Sequence, residues 1–180
     1  MTPLQQIALG LVVIVLTAPV GEIDLLLDPV GWLLVLGGVA RLRTGAPRPL
    51  PRSGLVTLAA VVAALASVVL AVPVVVGDAS PAQLAPLVVW QPLFCAALSA
   101  SLSGLAPAAS PWSRRLRWLA YAFCVVAALP LVVLADVEEA YGAVAFAGAV
   151  AMLVLIVVLF ILHRAPWVHR APATPTASRP

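Results

Sequence analysis

Apolar residues run along this chain in six long stretches, and charged residues collect in the short gaps between them. A helix crosses a ~30 Å hydrocarbon core in roughly 20 residues, and each stretch is near that length. The pattern predicts an all-α fold, a polytopic membrane helix bundle with spans at 4–20, 23–40, 55–76, 84–105, 116–135 and 141–162. A second helix starting only at Pro29 would be too short to span, so it is placed from Ile23. The outer turns are so short that neighbouring spans pair as three tight hairpins. Each hairpin sets a proline ahead of an aspartate, Pro19 before Asp24, Pro73 before Asp78 and Pro130 before Asp136, as copies of one plan would.

Charge orients that bundle. All ten basic residues are arginine, and seven acidic residues alternate with them in clusters. Glu22, Asp24 and Asp28 precede Arg41, Arg43, Arg48 and Arg52; Asp78 precedes Arg114, Arg115 and Arg117; Asp136, Glu138 and Glu139 precede Arg164, Arg170 and Arg179. One span separates each cluster from the next, so arginines and carboxylates fall on opposite sides of the bilayer. The positive-inside bias puts the arginine loops and both termini in the cytoplasm, with Glu138-Glu139 in a solvated outer turn. The first span lacks a positive leader and a clean small-residue cleavage site, so it is expected to be retained.

Composition agrees with the pattern. At 63% hydrophobic and 9% charged, with a mean hydropathy of +1.13, the chain has too little polar surface to clothe a water-soluble globule. The net charge of +3 does not point to nucleic acid, because the arginines sit in short loops where they face anionic headgroups. The partner expected is the lipid bilayer, with a homo-oligomer or another membrane protein as a further partner, in a bacterial plasma membrane. The arginine-only basic set and the abundance of Ala, Val, Leu and Pro are the mark of a GC-rich bacterial genome. Residues 1–163 read as the transmembrane domain and 164–180 as a disordered proline-rich cytoplasmic tail, with Arg164, Trp167 and Arg170 as headgroup anchors. Cys95 and Cys124 lie inside apolar runs and read as small buried hydrophobes.

The second span carries the chemistry, if any does. Asp28 lies about 6 Å deeper than Asp24, inside the hydrocarbon edge, where a carboxylate costs a few kcal/mol and must face protein or water. Asp24, Asp28, Gly31, Val35, Gly38 and Leu42 follow at intervals of four and three, a stripe of two carboxylates above two glycines that invites a close helix neighbour. Asp28-Pro29 also suits a helix start, with the aspartate as N-cap. On the fourth span Gln91, Cys95, Ser99 and Ser103 form a second polar stripe, and Gln91 lies at a depth where it could hydrogen-bond Asp28. Pro92 should loosen the helix beside Gln91. The candidate intramembrane polar site is therefore Asp28, Gln91 and Asp24.

From Ile23-Asp24 through Asp28-Pro29-Val30-Gly31-Trp32 to Gly37-Gly38, the chain resembles small uncharacterised multipass bacterial membrane proteins with a D-x-x-P-D-x-x-G-aromatic helix start. The likeness covers Gly21 to Leu42, with Leu27 where the second aspartate's proline would stand. It implies membrane placement and a role for Asp28, and names no substrate. No catalytic constellation is found: Ser101-Leu102-Ser103-Gly104 has no histidine in a helix to act as base, and Val75-Val76-Gly77-Asp78 lacks its leading glycine. Glu138-Glu139 has Ala143 where a glutamate-pair protease has arginine. No metal site or cofactor is expected. Two functional classes stand: a non-enzymatic membrane protein of interaction, assembly or membrane homeostasis, and a small transporter using Asp28 as a proton or cation site.

Overall fold

The structure, a computed structural model, describes residues 1–16, 27–45, 49–71, 81–133 and 138–169. Asp24 and Arg170, the remaining acidic outer turns and the end of the tail lie outside the described residues. Those described form helices and no strands: α1 (Pro3–Leu16), α2 (Leu27–Gly45), α3 (Ser53–Leu70), α4 (Pro81–Val88), α5 (Trp90–Leu105), α6 (Pro111–Val133), α7 (Glu138–Leu162) and the one-turn α8 (Pro166–His169). The all-α expectation holds. Among the described residues two stretches are long and apolar enough to cross a membrane, Ser53–Leu70 and Pro86–Leu105, and Pro3–Val15 and Phe146–Leu162 are shorter apolar helical stretches.

Several helix boundaries depart from the hydropathy edges, each for a local reason. α6 begins at Pro111 and so takes in Arg114, Arg115 and Arg117, which the sequence places in a loop. Ser110 accepts a hydrogen bond from the Trp112 backbone N–H at 3.3 Å, and Pro111 needs no N–H partner in the first turn. Likewise α2 runs through Arg41 and Arg43 to Gly45. The backbone of Glu138 and Glu139 is helical rather than an outer turn, and acidic residues suit a helix N-terminus. The expected fourth span is divided at Val89 into α4 and α5. Pro92 has no N–H to give the Val88 carbonyl and its ring crowds that carbonyl, so the ladder breaks there while Val89 keeps helical angles. α8 buries Val168 against the bundle.

The helices pack as a ring: α1 on α2, α2 on α3, α3 on α5, α5 on α6, α6 on α7, and α7 back on α1. Trp32 of α2 and Phe94 of α5 meet across its middle, ring centroids 5.4 Å apart at 75°. Beside them Cys95 Sγ lies 3.7 Å from Met152 Sδ of α7. The α2 stripe behaves as its spacing predicts: Gly31, Val35, Gly38 and Leu42 are all buried. Gly31 and Gly38 lie against α1, where a β-carbon on Gly31 would stand 2.8 Å from the Gly10 carbonyl oxygen and one on Gly38 2.9 Å from that of Pro3. Only glycine lets the two backbones come so close.

The outward faces are apolar. On α3 the buried side is made of Val56, Ser67 and the four alanines Ala59, Ala60, Ala63 and Ala66, while Leu58 and Leu65 stand 57% and 62% exposed. Leu55, Leu58 and Leu65 are all on the outside. In water each such leucine would forgo roughly 1.5–3 kcal/mol of burial, and lipid removes that penalty.

Candidate functional site

Polar chemistry is divided between two ends of the ring. At the arginine end, Arg41 Nη1 donates to Gln6 Oε1 at 3.2 Å, tying α2 to α1, and Arg43 Nη1 donates to Thr57 Oγ1 at 3.2 Å, tying α2 to α3. Arg115 stacks on Trp112, 5.2 Å from the ring centroid. Trp118 and Tyr121, both largely exposed, meet edge to face one turn further along α6. Of the expected headgroup anchors, Arg164 is exposed and donates from Nε to His163 Nε2 at 3.3 Å, and Trp167 is half-buried against the core. The His163 ring is itself hydrogen-bonded to the Phe160 carbonyl.

At the other end stand Asp28 and Gln91, both half-buried. Asp28 is in the first turn of α2, which starts no later than Leu27, so Pro29 is not the first helical residue. It lies one turn before both Gly31, which faces α1, and Trp32, which meets Phe94. Gln91 lies one turn before Phe94 and Cys95 on α5. The structure thus sets both residues one turn beyond the same aromatic pair, on inward faces. The rest of the α5 stripe divides. Cys95 and Ser99 are fully buried, and the Ser99 hydroxyl makes no hydrogen bond among the described residues, so small volume is what it offers there. Ser103 bonds back to the Ala100 carbonyl at 2.7 Å. Cys124, expected to be buried, is exposed.

A third feature is a groove of about 600 Å³ between α3, α5 and α6. Ala96, Ala97, Ala100 and Gly104 of α5 form its floor, Leu55 and Leu58 of α3 one wall, and Tyr121 and Cys124 of α6 the other. Trp90 lies at one end, Arg52 and Arg117 at the opposite one. Arg52 is the residue before α3 and has a left-handed backbone, φ 57°, turning the chain sharply out of the Pro49–Pro51 loop. Sequence reasoning missed this groove and the Gly10 contact. The signal for its floor was present as small residues at 96, 100 and 104, one per turn of one helix.

No family model, no curated protein and no solved structure matches the chain.

Proposed function

We propose that this chain is a multipass protein of a bacterial plasma membrane, a six-span bundle whose work is interaction, assembly or membrane homeostasis rather than catalysis. The observation that carries this reading is the inverted α3, with alanines inside and exposed leucines outside, in a ring whose opposite outer face, on α7, is also apolar. The ends support it too. Arginines with Trp112, Trp118 and Trp167 gather at one end, as at a cytoplasmic headgroup layer, while Asp28, Glu138 and Glu139 stand in the first turns of helices that run from the other. The resemblance of the Gly21–Leu42 stretch to small multipass bacterial proteins points the same way. Reporter fusions after Pro49 and after Ser80 test it: opposite signals are expected, cytoplasmic at Pro49 and external at Ser80. Matching signals overturn the six-span arrangement.

A second reading, a small transporter with Asp28 as its proton or cation site, is favoured by one observation. Asp28 precedes Arg41 by 13 positions, ~20 Å along a helix. With Arg41 at the inner headgroups, Asp28 stands inside a ~30 Å core and near Gln91 above the aromatic pair. Asp28→Asn should keep the fold, since an amide retains hydrogen-bonding capacity, while Asp28→Leu should lower the thermal midpoint in detergent by a few degrees, ~1–2 kcal/mol. A leucine variant as stable as the parent removes the case for a built polar site.

A further inference from the structure

Four of the arginines at the basic end are engaged: Arg41 with Gln6, Arg43 with Thr57, Arg115 with Trp112 and Arg164 with His163. Arg52 and Arg117 differ. Both are exposed, both line the α3–α5–α6 groove, and neither has a side-chain hydrogen bond or ion pair among the described residues. Both belong to the lining of a largely apolar trough that contains no acidic residue. Along α5 the trough runs from Trp90 to Gly104, ~21 Å at 1.5 Å per residue, longer than the ~15 Å hydrocarbon depth of one leaflet. Its volume of about 600 Å³ is that of a ligand site, and its floor of alanine and glycine leaves a smooth channel.

We propose that this groove binds one anionic glycerophospholipid, with an acyl chain along the alanine floor and the phosphate held by Arg52 and Arg117. The proposal rests on the membrane reading above. Charge decides against the nearest competitor, a helix from a second copy. In the same membrane orientation a second copy would bring its own arginine end to this one, because no Asp or Glu occurs in the segments 41–52 and 112–117. Like charges would then meet where a phosphate would be welcomed. Guanidinium groups are suited to phosphate oxygens, and the low dielectric beside the headgroup layer strengthens the pairing.

Native mass spectrometry of the full chain in detergent micelles tests this, with phosphatidylglycerol and phosphatidylcholine of identical acyl chains as probes. The parent should retain phosphatidylglycerol about tenfold to thirtyfold more tightly, the preference two arginines near a membrane surface give one lipid charge. The R52Q/R117Q double variant should bring the two lipids to within about twofold, while Arg114→Gln, an arginine outside the groove, should leave the preference intact. Ala100→Trp should weaken retention of both lipids by filling the floor. Equal binding of the two lipids by the parent, an unchanged preference in the double variant, displacement by soluble glycerophosphate alone, or a protein dimer in place of the lipid adduct each overturns the proposal. Opposite reporter signals with no lipid preference sink only the lipid site, whereas matching signals sink the membrane reading beneath it.

Discussion

The α1–α2 contact and the α3–α5–α6 face both rely on small residues, and they put them to opposite use. Between α1 and α2 the glycines are spent on contact: a β-carbon on Gly10 would lie 2.5 Å from the Gly31 carbonyl oxygen and 2.9 Å from the Val35 amide nitrogen. Across α5, Ala96 and Ala97 are buried, while Ala100 and Gly104 border the groove, and a β-carbon on Gly104 would touch only the Pro51 ring, at 3.2 Å. Small residues thus close a helix pair when a second backbone faces them and form a trough when long side chains stand on either side. Composition alone cannot separate the two cases. What separates them is whether the facing element is itself small, as Gly10 is for Gly31, or walled by Leu55, Leu58 and Tyr121.

That contrast is most easily broken at Gly10. Gly10→Ala should cost about 1–3 kcal/mol and lower the thermal midpoint in detergent by roughly 3–10 °C, because the obstructing atoms are backbone and cannot swing aside. Gly54→Ala, where a β-carbon meets nothing within 4 Å, should change stability by no more than about 1 kcal/mol. A Gly10 variant as stable as the Gly54 variant would mean that α1 and α2 are not held at this separation. On the other face Ala100→Leu should change stability by less than about 1 kcal/mol, because the added methyls enter the groove rather than a packed contact. A loss as large as that at Gly10 would show the groove closed in the folded protein.

The sequence made the α2 stripe legible because helical spacing fixes which residues share a face, and Gly31, Val35, Gly38 and Leu42 are buried together. It did not name the partner, since periodicity within one helix says nothing of the neighbour's identity; Gly10 emerges only when α1 is docked. Counting residues gave Asp28 and Gln91 a common height, one turn beyond Trp32 and Phe94, whose rings meet between the two helices. Hydropathy begins the fifth span at Leu116, whereas the helix that carries it, α6, begins at Pro111. The edge of an apolar run marks where lipid should end, not where a helix must, and the true start was signalled by Ser110-Pro111. The groove was legible on one side only. Its floor repeats along α5, but its volume depends on three helices meeting at a particular spacing.

The smallest effect is expected at the bond that joins the two regions. Thr57 Oγ1 accepts from Arg43 of α2 and donates to the Ser53 carbonyl at 2.9 Å, so it links α2 to the helix that forms one wall of the groove. Both partners are near the surface, where water competes for the same donors, and the net value of such a bond is about 0.5 kcal/mol. Thr57→Val keeps the branched shape and removes the hydroxyl. It should lower the thermal midpoint by only about 1–2 °C and leave the phosphatidylglycerol preference unchanged, since Arg52 and Arg117 are untouched. If it instead costs as much as Gly10→Ala, the arginine end holds the ring together through its polar ties, and the close glycine contact is a consequence of that clamp rather than its own source of stability.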